Sequence, residues 1–181
     1  MADTTGPTRI LEIAEADLTD AQRSVIDAVR AGRGRLPTPF KIWLHAPDVA
    51  GIWGQLGTLL NGPTSLTPRE RELATIVAAH HLHGAYVEEM HARTARELGI
   101  APEVIDALRH EQTPQLDDPR EAVVVALARH AHEQQPVNDA PFERAVKLIG
   151  HHGIAELYAL IGYYSAVAIA MKTYRVPIPP A

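Results

Sequence analysis

The stretch Leu66–Ile100, LTPRERELATIVAAHHLHGAYVEEMHARTARELGI, constrains the fold of this chain more than any other. Thr67-Pro68-Arg69-Glu70 places a threonine at an N-cap, a proline at the first helical position and a glutamate at the third. Such a start satisfies the free amides of a first turn reciprocally and fixes where the helix begins. Leu73, Ile76 and Val77 follow at helical spacing and define an inward face. His83-Gly84 ends this helix, and a second runs from about Ala85 to Leu98, with Gly99 beyond its end as C-cap. The segment therefore reads as two helices joined at a glycine break.

The rest of the chain reads as helices too. Thr19-Asp20-Ala21-Gln22 has capping-box spacing and opens a helix to about Arg30, with Val25, Ile26 and Val29 on its buried face. Gly32–Phe40 holds two glycines and two prolines and is expected to be a loop. Pro47–Asn61 carries Val49, Ile52, Trp53, Leu56, Leu59 and Leu60 as an apolar stripe, stopped by Asn61-Gly62-Pro63. Short helices are expected from Ala101 to about His110, from Asp118 to about His132, and between about Ala140 and Ile149. The last helix, Ile154 to about Tyr174, is apolar almost all round, which belongs in a bundle core or an oligomer interface. Prolines keep the tail RVPIPPA extended. No strand pattern appears, so the fold class is all-α. Thr67–His83 and Asp118–Gln134 echo each other: both carry Pro-Arg-Glu and then a histidine at matching distance, His81 and His132. Glu72 is matched by Val123, so the echo reads as shared helix-start grammar, with a structural repeat left open.

Composition narrows the function. The chain has 181 residues, enough for one domain, and a net charge of −5 with no basic block, which argues against nucleic acid as a partner. No apolar run is read as a membrane span, and the first residues lack a signal-peptide pattern, so no membrane partner and a cytoplasmic location are expected. Cysteine is absent, which excludes disulfides, thiolate metal sites and thiol-based peroxidase or reductase chemistry.

His91 lies on a stripe with Val87, Met90, Thr94 and Leu98, and Glu72 on one with Ile76, Ala79, His80 and His83. A carboxylate beside an imidazole fixes its tautomer and readies it as a general acid or base. The competing reading is a buried ion pair that merely closes the helical hairpin, or a Glu72 at the edge of a surface face. His80, His81 and His83 raise a metal site, but the glycine break spoils convergence and no HExxH spacing is present, so no metal is assigned. His130, His132, His151 and His152 read as surface or loop residues. Tyr163 and Tyr164 read as core aromatics with bonded hydroxyls.

On these residues the chain resembles the carboxymuconolactone decarboxylase family, whose superfamily includes the AhpD-type alkylhydroperoxidases. The resemblance rests on Leu66-Thr67-Pro68-Arg69-Glu70-Arg71-Glu72-Leu73, the glycine break, Tyr86 followed by His91-Ala92, and Ala95-Arg96-Glu97-Leu98-Gly99-Ile100. Asn138-Asp139, Gly153-Ile154-Ala155-Glu156-Leu157 and Ile161-Gly162-Tyr163-Tyr164 extend it. The peroxidase branch has a glutamate, a CxxC pair and a histidine. Glu72 and His91 match that acid and histidine, while Gly84 and Val87 stand at the cysteine positions, so a disulfide-cycling peroxidase is disfavoured. The decarboxylase branch often has an acid just past the break; the nearest acids here are Glu88 and Glu89, with Val87 before them.

The resemblance implies an AhpD-like helical bundle around a helix–turn–helix core. It is expected as one domain over residues 10–181 behind a flexible end at residues 1–9, assembled as a homotrimer or homohexamer. It also implies a cofactor-free lyase of aromatic catabolism that decarboxylates a small anionic lactone or keto acid. His91 would donate the proton and Glu72 would hold His91, with Trp53, His83, Tyr86 and Glu88 at the substrate. A non-catalytic small-molecule binder or structural oligomer of the same family is the alternative.

Overall fold

The computed structural model describes residues 6–133 and 135–180. Residues 1–5 of the expected flexible end, Gln134 at the end of the sequence echo and the last residue of the tail lie outside them. A short 3-10 turn at Glu15–Asp17 precedes eight α-helices among the described residues. These are α1 (Asp20–Arg33), α2 (Phe40–Trp43), α3 (Pro47–Asn61), α4 (Pro68–His81), α5 (Ala85–Glu97), α6 (Pro102–Arg109), α7 (Pro119–His130) and α8 (Asp139–Thr173). No strand occurs among them, and the all-α architecture is that of an AhpD-like bundle.

Helix α4 is the hub: it packs on α5, α6, α7 and α8. Leu73 through Ala79 are all buried, so the helix is enclosed well beyond the inward face that Leu73, Ile76 and Val77 announce. Its start is built as the sequence dictates. The Thr67 hydroxyl accepts from the Glu70 amide at 3.2 Å, and the Thr67 amide donates to the Glu70 carboxylate at 2.7 Å. Such a cap stabilises a helix by about 1 kcal/mol.

The Glu70 side chain is fully buried, and a buried carboxylate needs a partner. Arg120 of α7 supplies it, donating from Nε to Glu70 Oε1 at 2.8 Å. Arg69 reaches Glu121 in the same way, at 2.6 Å. The two ion pairs are reciprocal, as a local two-fold relation between α4 and α7 requires. At the other ends of these helices His81 and His132 stack, ring centroids 4.2 Å apart. The echo in the sequence thus becomes a pair of matched helices lying side by side.

Elsewhere the structure corrects the sequence reading. The expected loop Gly32–Phe40 is shorter: α1 continues to Arg33, Gly34 turns the chain at φ +70°, and Phe40 opens α2. On α3 half of the expected apolar stripe is exposed, with Ile52 71% and Leu59 60% accessible, while Trp53, Leu56 and Leu60 pack inward. The buried face is Ala50, Gly54 and Gly57 together with Leu60 of the expected stripe. Those glycines admit what a side chain would exclude: a Cβ on Gly54 would strike Val29, and one on Gly57 would strike Tyr163. The two expected C-terminal helices are separate, broken at Gly150 with φ +69°, but the second begins earlier than Ile154, so His151 and His152 are helical. Helix α8 is also long and apolar enough to cross a membrane, contrary to the reading that no run is; 56% of its most apolar window is buried inside the protein. Helix α8 packs against α4, α5 and α7, and such burial gives a core helix the same composition. Close to the chain's start, the Arg9 amide donates to the Tyr174 carbonyl at 2.8 Å, tying it to the end of α8.

Candidate functional site

Glu72 sits on the second turn of α4, near that helix's start, and His91 on the second turn of α5, so both stand well away from the closed end of the α4–α5 hairpin. The turn that joins the helices is tight for two separate reasons. His83 takes the left-handed conformation at φ +53°, and Gly84 presses so close to Ala168 of α8 that a Cβ would lie 2.6 Å from the Ala168 Cβ. This geometry brings His91 Nδ1 to 2.7 Å from Glu72 Oε2, with the side chains only 17% and 13% exposed. An ionised carboxylate can only accept, so the proton of a neutral His91 resides on Nδ1. Nε2 makes no hydrogen bond among the described residues.

The pair opens into a cavity of about 270 Å³. Tyr86, Val87, Met90 and Thr94 of α5 line one side, and Tyr163, Tyr164 and Val167 of α8 another. The end of α1 closes it with Arg33, and the chain between α1 and α2 with Arg35, Pro37, Thr38 and Pro39. Tyr164 sets its edge against the His91 ring at 4.4 Å between centroids and donates its hydroxyl to Asn61 Oδ1 at 2.7 Å. Asn61 in turn donates to the Gly57 carbonyl. Burial pushes the Tyr164 hydroxyl up to about 12; Glu72 and Tyr163 add to the rise, Arg33 and Asn61 oppose it. Tyr164 therefore stays protonated at neutral pH and holds the imidazole ring in place. Burial raises the Tyr163 hydroxyl as well, against the neighbouring Arg33 guanidinium.

Of the six residues singled out from the sequence, Glu72, His91 and Tyr86 share this cavity. The other three stand elsewhere. Trp53 lies behind the wall, stacked on Tyr163 at 4.7 Å and tilted against Trp43 at 5.5 Å. His83 is exposed, because the left-handed turn directs it away from the hairpin's inner side. Glu88 points to the other face of α5, where it meets His80 Nδ1 at 3.0 Å and Arg109 Nε at 2.8 Å.

The histidine cluster disperses likewise. His80 pairs with Glu88, His81 stacks on His132 and His83 turns outward, so among the described residues no three acids or histidines converge on a metal position. His132, read as a surface residue, is half-buried against His81, and the Nε2 atoms of His130 and His132 are covered. Sequence reasoning passed over Arg33, Arg35 and Asn61. The only signal for them was their nearness to prolines and to the stop of α3, which reads equally as loop.

Residues 47–130 match the model of the carboxymuconolactone decarboxylase family. Over that segment the chain is similar to this family. The segment contains the α4–α5 hairpin with Glu72 and His91, and it ends with α7. Arg33 and Arg35 precede it, and Tyr163 and Tyr164 follow it. No curated protein matches the chain. Solved structures share the fold over nearly its whole length. The debrominase Bmp8 superimposes with a TM-score of 0.74 at 14% identity, over 96% of this chain and 93% of that one. An uncharacterized peroxidase-related protein from Ralstonia eutropha JMP134, described as an alkylhydroperoxidase AhpD core, gives 0.73 at 21% identity over 98% and 94%. A peroxidase-related protein from Silicibacter sp. TM1040 gives 0.74 at 17% over 96% and 93%. This chain keeps the helical frame with no cysteine at all, and Gly84 and Val87 occupy the turn and the start of α5.

Proposed function

We propose that the protein is an acid–base enzyme that decarboxylates a small anionic lactone or keto acid, with His91 as proton donor and Glu72 as the residue that holds it. The observation that carries this reading is the half-buried Glu72–His91 bond with the second imidazole nitrogen free beside a cavity. Loss of carbon dioxide breaks a carbon–carbon bond and leaves the electron pair on the substrate as an enolate. A protonated Nε2 delivers its proton to that carbon, and solvent restores it. Glu72 balances the imidazolium before the transfer and keeps the ring oriented after it. The family of residues 47–130 supports the reaction type, and the absence of cysteine argues against peroxide reduction through thiols. The size of the cavity suits a five- or six-membered ring; the debrominase of like fold has itself been solved with 2,3,4-tribromopyrrole.

The test is carbon dioxide release from a panel of lactone carboxylates and keto acids by the parent and by His91→Gln. We expect turnover of at least one substrate, a loss of about a hundredfold or more in the variant, and an unaltered melting temperature. A variant as fast as the parent ends this reading.

A further inference from the structure

Most arginines in the core of this protein are spoken for. Arg69 and Arg120 hold Glu121 and Glu70, Arg93 and Arg96 hold Glu89, and Arg109 holds Glu88 and Glu89. Arg33 and Arg35 differ: both line the Glu72–His91 cavity, and neither has a carboxylate partner among the described residues. Their placement is not that of a loose loop. Arg33 ends α1, Gly34 reverses the chain in the left-handed conformation, and Pro37 and Pro39 stiffen the segment that carries Arg35 along the cavity wall. Arg33 is half-buried beside the Tyr163 hydroxyl, and Gly57 leaves it room: a Cβ there would come within 3.3 Å of Arg33 Nη1.

A plain structural role exists for each. A cation at a helix C-terminus favours the helix dipole, and Arg33 offsets the charge of Glu72. That charge is already met by His91 at 2.7 Å, however, and the dipole does not require two guanidinium groups turned to one cavity. Arginine presents a planar fork that fits a carboxylate with two parallel hydrogen bonds.

We propose that Arg33 and Arg35 form the anion seat of this cavity and grip a carboxylate that the reaction leaves intact. The choice of carboxylate follows from energetics and rests on the decarboxylase reading. Clamping the carboxylate that departs would stabilise the ground state, since the charge leaves that group as neutral carbon dioxide forms. The gripped group is therefore a second one, and the ligand is a small dicarboxylate or a keto acid with a spectator carboxylate. Its size is bounded: about 270 Å³ is the liquid volume of roughly nine waters. Anchored at the arginines, such a ligand extends towards His91, so the seat sets which of its carbons meets the proton. Both arginines lie outside the family segment of residues 47–130, so this chain's selectivity is set by a part of the molecule distinct from its acid–base pair.

The experiment is calorimetric titration of the full chain with succinate and with succinamide, its uncharged counterpart. The variants are Arg33→Gln, Arg35→Gln, Arg33→Lys and, as a control on an exposed turn of α1, Arg30→Gln. We expect saturable succinate binding that weakens about ten- to a hundredfold in each glutamine variant at the seat. We further expect partial recovery in Arg33→Lys, no change in Arg30→Gln, and weak succinamide binding that is indifferent to all four. Arg35 is exposed, so its variant keeps the test open if loss of Arg33 from Tyr163 disturbs folding. Absence of succinate binding to the parent overturns the proposal, as does binding that Arg33→Gln and Arg35→Gln leave unchanged or that falls equally for succinamide. Succinate binding lost at the arginines while His91→Gln retains turnover refutes the acid–base reading and leaves the seat standing. Turnover lost at His91 with succinate indifferent to the arginines does the reverse.

Discussion

The pair α4–α5 and the pair formed by α7 with the first half of α8 begin alike and end differently. Both open on a capped Pro-Arg-Glu turn, and both give their arginine to the other's glutamate. Both end on a histidine that stacks on its counterpart. One turn further into α4 stands Glu72, while the matching position of α7 is Val123, 6% exposed. The cavity beside Val123 is the larger, at about 560 Å³, yet its walls are mainly Ala122, Ala126, Leu127, Val137 and Pro141. The cavity beside Glu72 is half that size and holds the acid, the imidazole, three tyrosines and two arginines. Frame and chemistry therefore separate within one molecule: what the halves share holds helices together, and what only one has could move a proton. Cavity size alone would choose the half without the acid–imidazole pair.

The sharpest way to break the comparison is to make the first half like the second. Glu72→Val installs the residue that α7 carries at the matching position. The frame contacts do not involve Glu72, so the melting temperature should change little, while turnover falls about a hundredfold or more as His91 loses its orienting partner. Unfolding of this variant would mean that Glu72 is frame after all, and full activity would detach it from the chemistry.

A second contrast asks whether the reciprocal pairs are truly equivalent. Glu70 is fully buried and also caps Thr67, so Glu70→Ala strands Arg120 and frees the cap; the loss should be about 3 kcal/mol in denaturant unfolding. Glu121 is 7% exposed at its side chain and its partner Arg69 is 38% exposed. Water can take over more of that guanidinium, so Glu121→Ala should cost about 2 kcal/mol. Equal losses would show that the capping role of Glu70 adds nothing.

These contacts explain what the sequence disclosed. The cap at Thr67, the break at His83-Gly84 and the register of Glu72 against His91 are all local. Each depends on spacing along one or two helices, and spacing is what a sequence records. The walls of the cavity are not local. Tyr164 of α8 meets His91 of α5 with two helices between them in the sequence, and Gly54 and Gly57 define the buried face of α3 by having no side chain, which hydropathy scores as nothing. For that reason Ile52 and Leu59 stood out on α3 although both lie open to solvent. The turn that directs His83 away is a left-handed φ at a non-glycine residue beside a glycine, and the pattern of residues points to the wrong one of the two. Glu88 was misplaced for a simpler reason. One residue of shift on a helix is about 100°, enough to send a side chain to the neighbouring face and here to His80 and Arg109.

The caps offer a smaller test of the same likeness. Thr67 takes part in a two-way bond with Glu70, whereas Asp118 accepts only from the Arg120 amide at 2.8 Å. Thr67→Ala should cost about 1 kcal/mol, and Asp118→Ala about 0.5 kcal/mol, in chemical denaturation. A larger loss at Asp118 would reverse the ranking of the two starts.

The smallest effect is expected where the halves touch at their far ends. Burial holds the His132 imidazole below its usual value of 6.5, and the nearby His81 lowers it further. The sign follows directly. Above about pH 6.5 both folded and unfolded chains carry this group neutral, and its contribution is constant. As the pH falls through that value the unfolded chain takes up the proton first, so stability declines until the folded group titrates too. His80, Glu111, Arg129 and Glu133 line the same small cavity, and with them in place the shift of His132 is still downward. Thermal melts of the parent between pH 7.5 and 5 should therefore slope downward on the acid side, and His132→Gln should flatten that slope. An unchanged slope in the variant would assign the acid sensitivity elsewhere and leave the stacked pair as packing alone. A steeper one would mean that the imidazolium at position 132 is welcomed by its acidic neighbours, which contradicts its burial against His81.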